Sequence, residues 1–180
     1  HKEYQLRSLV IKLSSIMQYL RIDESGSDWC TKAFGNLYHK FDMIRQGKDS
    51  YKKIRAAEKD FLISIIENYT TKATGDKLLL DLGCGYGRVE KAIFTELPED
   101  WKIIGVDKSK TLISAANNSS VSYEYEDRLT FKICDFRDIS FSHYRGSEYD
   151  IVLFLFSTFG GLSSISEDIK LLYDAYALLK

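Results

Sequence analysis

The sequence has few chain breakers, with one proline and eleven glycines in 180 residues. Combined with 44% hydrophobic and 13% aromatic content, this excludes collagen-like, linker-like and low-complexity chains, which bury too little apolar surface to order themselves. Cysteine is scarce as well. Cys30, Cys84 and Cys134 are odd in number and far apart, with no Cys-x-x-Cys pair and no Cys/His cluster at ligand spacing, so neither disulfides nor a metal site is expected. Neither sign of charge dominates: 25 basic and 26 acidic side chains give a net −1, which leaves no electrostatic footprint for nucleic acid. A small or neutral substrate is the easier reading. The longest apolar run, Ile151 to Phe156, is far shorter than the ~20 residues that span a bilayer, and the N-terminus shows no signal-peptide pattern. The expectation is a soluble, cytoplasmic protein with no membrane partner and an open oligomeric state.

What is present falls into two parts, residues 1–74 and 75–180. In the first part, Leu6, Leu9, Val10, Leu13, Ile16, Met17 and Leu20 keep the spacing of one helix face, and Asp23 to Asp28 read as a turn. A second helix is expected over about 31–45. A third starts near Tyr51, with Ile54, Ala57, Phe61, Leu62, Ile65, Ile66 and Tyr69 on one face. After Thr74-Gly75-Asp76 the pattern changes. Short apolar runs at 78–82, 103–106, 129–133 and 151–156 alternate with helix-like segments near 88–96, 112–118 and 166–179, which predicts a parallel α/β sheet. The unbroken hydrophobicity of Leu78-Leu79-Leu80 and Ile151-Val152-Leu153-Phe154 suits strands covered on both faces. The fold class is therefore a Rossmann-like, doubly wound, mostly parallel sheet behind an N-terminal helical segment, without the final strands of a complete doubly wound domain.

The chemistry concentrates at three strand ends. Asp81-Leu82-Gly83-Cys84-Gly85-Tyr86-Gly87-Arg88 places an acid at the end of a strand, then three glycines on alternate positions, then a helix; glycine lets backbone pass close to a ligand. A dinucleotide fingerprint would need a small residue where Arg88 stands, so an NAD-dependent oxidoreductase is the second reading. A tight turn without any ligand is the plain one. Ile103-Ile104-Gly105-Val106-Asp107 is another strand ending in a carboxylate, whose two oxygens suit a pair of ribose hydroxyls, with Lys108 beside it; the plain alternative is a helix N-cap. The third strand ends in Asp135-Phe136. His39 and His143 lack a recognisable orienting carboxylate, so no general base is assigned.

The glycine-rich run resembles the D/E-x-G-x-G-x-G signature of class I S-adenosylmethionine-dependent methyltransferases, in which the loop passes beside the methionine and ribose parts of the cofactor. That resemblance implies cofactor contacts at Asp81, Gly83, Cys84, Gly85, Gly87, Asp107 and Lys108. It puts Asp135 on the adenine amino group and the Phe136 amide on a ring nitrogen. Phe156-Ser157-Thr158-Phe159-Gly160 looks like the loop after the fourth strand of small-molecule N-methyltransferases, including those acting on amino sugars. Phe156 then borders the cofactor, and Ser157, Thr158 and Phe159 face the substrate. Tyr38 to Tyr51 resembles a lid segment of the same group, with Phe41 where that group often has tyrosine and Tyr38 available in its place. The implied activity is methyl transfer from S-adenosylmethionine to a small molecule, an amine in the favoured version; besides the NAD enzyme, a non-catalytic Rossmann-like binding module is the alternative.

Overall fold

The structure is a computed structural model, which describes residues 40, 44–45, 47–70, 75–137, 149–155 and 164–180. A long helix α1 (Asp49–Thr70) leads into β1 (Lys77–Leu82), α2 (Arg88–Phe94), β2 (Trp101–Asp107), α3 (Lys110–Asn117), the short α4 (Ser120–Glu124), β3 (Leu129–Ile133), β4 (Ile151–Leu153) and α5 (Ile165–Tyr176). The four strands form one parallel sheet in the order β3-β2-β1-β4. Winding runs outward from β1 to β3 and then returns to the other side of β1. The switch point lies between β1 and β4, and in open α/β sheets ligands bind beyond the carboxyl ends of strands at such a point.

Alternation along the strands builds a core on each face. Leu79 and Ile103 pack with Leu62 and Ile66 of α1, Val89, Ile93 and Phe94 of α2, and Ile113 and Ala116 of α3. Leu80, Leu82 and Val106 point the other way, to Tyr149 and to Leu171 and Ala175 of α5. Because side chains alternate with period two, a strand needs apolar residues at consecutive positions to feed both cores. The helix α1 thus shares one core with the sheet.

Several details differ from expectation. Of the seven apolar positions assigned to one face of α1, Leu62 and Ile66 are buried, whereas Ile54, Phe61 and Ile65 are exposed. Neighbours such as Phe61 and Leu62 are separated by about 100° around a helix, so only one of each pair turns toward the sheet. The lid-like segment expected through Tyr51 gives way to α1 at Asp49. The helix α4 has no counterpart in the sequence reading; Ser119 caps it, its hydroxyl accepting from the Ser122 amide at 3.3 Å. The fourth strand ends at Leu153 rather than at Phe156, and Phe154 and Leu155 already lie beyond it. The sequence-derived helices at 6–20 and most of that at 31–45 lie outside the described residues. Among the described residues no helix is long and apolar enough to cross a membrane.

Candidate functional site

The run from Gly83 to Gly87 is bent by three left-handed residues, with φ of 88° at Gly83, 60° at Gly85 and 73° at Gly87. Two of these glycines serve different ends. A Cβ on Gly87 would lie 2.4 Å from Cζ of the buried Phe131, so its absence lets the start of α2 close onto β3. A Cβ on Gly85 would meet nothing within 4 Å, so at this point the loop borders open space. The loop is tied to β2 by the Gly83 and Cys84 amides, which donate to the Val106 carbonyl at 2.8 and 3.0 Å.

Asp107, at the end of β2, brings the motifs together. Its Oδ2 accepts the Gly85 amide at 3.0 Å, its Oδ1 accepts the Ser109 amide at 2.8 Å, and its carbonyl accepts the Cys134 amide at 3.0 Å. The helix cap that this carboxylate could have supplied comes instead from Ser109, whose hydroxyl accepts the Leu112 amide at 3.4 Å. Each carboxylate oxygen has two acceptor sites, so one on each remains for a ligand hydroxyl. Burial raises the Asp107 carboxyl above its usual range; the Ser109 and Gly85 amides and the Lys108 ammonium pull it back, while Asp135 adds to the rise.

Asp135 lies just beyond β3 and is gripped by Arg137, whose Nε donates to its two oxygens at 2.9 and 3.0 Å. That bond, the Arg137 amide and the nearby Lys108 hold its carboxyl below the usual range despite partial burial. Lys108 thus acts electrostatically on both strand-end carboxylates. The side chains of Cys134 and Phe136 pack against the second core. Tyr38, Phe156, Ser157, Thr158 and Phe159 lie outside the described residues.

Asp81 and Cys84 are turned into the protein rather than to solvent, and burial pushes the Cys84 thiol upward. Asp81 meets a residue that the motif reading missed, Glu90 of α2, which is wholly buried. A second missed feature is Glu58 of α1, which joins two arginines: Arg88 Nη1 at 2.7 Å and Arg55 Nη1 at 3.0 Å. Arg55 also donates to the Tyr51 hydroxyl at 2.6 Å and has its guanidinium carbon 4.4 Å from the centre of that ring. These residues line a cavity of about 410 Å³ between α1 and α2. Arg88, which weighed against a dinucleotide fingerprint, fixes the start of α2 to α1.

Among the described residues no cluster of His, Cys, Asp and Glu is arranged to hold a metal ion. An open glycine loop is thus joined to the acid at the end of β2, with a further acid just beyond β3.

The methyltransferase domain family matches residues 74–172, more than half of the chain, and the chain belongs to that family. Its fold is that of the class I S-adenosylmethionine-dependent methyltransferases. Similar solved structures include SAM-bound CalS10, an amino pentose methyltransferase from Micromonospora echinaspora, with 20% identity, a TM-score of 0.56, and coverage of 79% of this chain and 52% of that one. The plantazolicin methyltransferase BpumL in complex with SAH has 21% identity, a TM-score of 0.58, and coverage of 94% and 58%. The [4+2]-cyclase SpnF has 21% identity, a TM-score of 0.52, and coverage of 67% and 41%. The chain spans about half the length of these structures. No curated protein matches the sequence.

Proposed function

We propose that the chain binds S-adenosylmethionine across the carboxyl ends of β1, β2 and β3 and directs its methyl group to a small-molecule acceptor, an amine. The observation that carries this reading is the Gly85 amide donating to Asp107 at 3.0 Å beside a loop open to ligand. Backbone at Gly83, Gly85 and Gly87 lies along the methionine and ribose parts, with Asp81 and Cys84 in the same run. The Asp107 carboxylate takes the ribose hydroxyls, Lys108 balances the charge between Asp107 and Asp135, and Asp135 with the Phe136 amide takes the adenine. Tyr38 and Phe156 complete the cofactor side; Ser157, Thr158 and Phe159 face the acceptor. The segment 1–74 supplies a helical lid and 75–180 the cofactor core.

S-adenosylmethionine, when bound, supplies an electrophilic sulfonium methyl. What the protein adds is alignment and exclusion of water, and effective molarities of ~10⁵ M or more for aligned groups make a dedicated base unnecessary. The amine acceptor is supported by the aromatic, weakly polar composition of the run from Phe156 to Gly160, and CalS10 is an amino pentose methyltransferase. A cytoplasmic location belongs to the same reading and is supported by cysteines that are odd in number and far apart in the sequence. Calorimetry with S-adenosylmethionine, S-adenosylhomocysteine and NAD tests the assignment. Binding of the two sulfur ligands and not of NAD is expected, NAD binding would favour an oxidoreductase, and no binding at all would favour a non-catalytic module.

A further inference from the structure

The glycine loop is tied to β2 through Asp107 and, at its exit, to α1. Arg88, the first residue of α2, follows Gly87 directly, and its guanidinium forks onto Glu58: Nη1 donates to Oε2 at 2.7 Å and Nη2 to Oε1 at 3.3 Å. Arg55, one turn earlier on α1, donates from Nη1 to the same two oxygens at 3.0 and 3.3 Å, and from Nη2 to the Tyr51 hydroxyl at 2.6 Å. A chain of charge-assisted bonds therefore runs from the first turn of α1 to the residue after the loop. With 21% of the Glu58 side chain and 17% of the Arg88 side chain exposed, solvent screens this pair only in part. No side chain caps α2, and at seven residues it is too short to be stable by itself, so its first turn relies on tertiary contacts such as this one.

We propose that Glu58 is a positioning residue for the cofactor: through Arg88 it holds the Gly85–Gly87 end of the loop in the conformation that receives ligand. This rests on the proposed S-adenosylmethionine site and adds to it a determinant on α1. A run with glycine at alternate positions has more conformational freedom to lose than any other, and a loop ordered before its ligand arrives spares that cost at binding. Asp107 restrains the middle of the run by accepting the Gly85 amide at 3.0 Å, where the loop borders open space. Glu58 restrains its exit, three residues further on. Arg55 and Arg88 share one carboxylate, so removing its charge leaves two guanidiniums that repel each other. Arg88 then parts from α1, while Leu62 and Ile66 keep α1 itself in the core. What is lost is the order of the loop rather than the docking of the helix.

The test measures S-adenosylhomocysteine affinity by calorimetry, and amide hydrogen exchange across residues 83–88 without ligand, in the wild type and a set of variants. Glu58→Gln and Arg88→Gln should each weaken binding about five- to tenfold and speed exchange in the loop. The double variant should bind no worse than the weaker single one, because both substitutions break the same link. Two controls disturb the same helix elsewhere: Lys59→Gln cuts the ion pair from Lys59 to Glu96, and Leu62→Ala loosens the packing of α1 on the core. Both should keep wild-type affinity within about twofold, although Leu62→Ala lowers the melting temperature further than Glu58→Gln does. Wild-type affinity in a folded Glu58→Gln variant would overturn the proposal, and a loss in Arg88→Gln alone would make Arg88 a direct ligand contact instead. Equal losses in either control would reduce the link to general docking of α1 and overturn it as well, as would additive losses in the double variant. If Glu58→Gln does not fold, Glu58→Asp, which keeps the charge but withdraws it by one methylene, takes its place under the same criteria. Failure of the wild type to bind removes the cofactor site itself, whereas each of the other outcomes leaves that site standing.

Discussion

The Asp107 carboxylate spans two loops, accepting the Gly85 amide on one oxygen and the Ser109 amide on the other at 3.0 and 2.8 Å. The glycine loop after β1 and the turn after β2 are therefore held in fixed relation by a side chain that still has acceptor capacity on both oxygens. A ligand bridging the two strands meets a preformed edge.

Asp107→Ala should weaken S-adenosylhomocysteine binding more than Asp135→Ala. The first substitution removes a carboxylate proposed to take two hydroxyls and frees the Gly85 and Ser109 amides; the second removes an acceptor already shared with Arg137. Hydrogen bonds to charged groups contribute about 1.5–3 kcal/mol each, so the Asp107 variant should lose at least about tenfold in affinity by calorimetry. Wild-type affinity in that variant would remove the ribose assignment.

The glycines should separate folding from binding. Gly87→Ala adds a Cβ 2.4 Å from the Phe131 ring at a φ of 73°, combining overpacking with left-handed strain. A loss of at least about 2 kcal/mol is expected, seen as a lowered melting temperature. Gly85→Ala meets no atom within 4 Å and carries only the strain of its φ of 60°, about 1–2 kcal/mol. A bulkier Gly85→Val should keep a folded far-UV spectrum and lose cofactor binding, because its side chain enters the ligand space. Equal melting temperatures for Gly85→Ala and Gly87→Ala would contradict this division.

What the sequence made legible follows from the range of its signals. Glycines at alternate positions after Leu79-Leu80-Asp81 and an acid after Ile103-Ile104-Gly105-Val106 are local patterns, and both fall where expected, at the ends of β1 and β2. The parallel sheet was legible from unbroken apolar runs, since Leu79 and Leu80 feed opposite cores. Glu90 was missed because a helical glutamate usually faces solvent. Its spacing of three and four residues from Ile93 and Phe94, both buried, was the available signal. The link from Arg88 to Glu58 joins residues thirty positions apart, with no periodicity to announce it. β4 read too long because Phe154 and Leu155 continue its apolar composition after the ladder with β1 has ended.

Asp150 should set an acid limit on stability. It lies before β4 and accepts the Leu78 amide at 2.7 Å, the Tyr69 hydroxyl at 2.9 Å and the Lys180 ammonium at 2.9 Å. Burial pushes its carboxyl upward, but the amide, the ammonium and the hydroxyl outweigh that and hold it below the usual carboxylate range. A depressed folded-state value favours the folded state above the unfolded-state value of about 4, and that advantage disappears as pH falls through the lower, folded-state value. Asp150→Ala should destabilise the protein by about 1–3 kcal/mol at pH 7, because it leaves buried donors unpaired. The difference from wild type in urea unfolding should shrink below about pH 4. A constant difference down to pH 2.5 would show that the charge of Asp150 is not what matters.

The acceptor determines the pH profile of turnover. An amine attacks the sulfonium methyl only when unprotonated, and with no assigned base the remaining means of deprotonation is desolvation, which lowers an ammonium pKa in an apolar pocket. The run Phe156-Ser157-Thr158-Phe159-Gly160 has aromatic residues on both sides of two hydroxyls, a composition suited to a compact acceptor with few polar contacts. The rate of methyl transfer to an amine should therefore rise through neutrality and level off above the lowered amine pKa. Following labelled methyl transfer to amino sugars, simple amines, phenols and RNA in parallel separates the acceptor classes. Amines should be labelled preferentially, and replacing Phe159 by Ala should raise their KM more than it alters affinity for S-adenosylhomocysteine. Preferential labelling of a phenol oxygen or of RNA would remove the amine assignment and leave the methyltransferase itself in place.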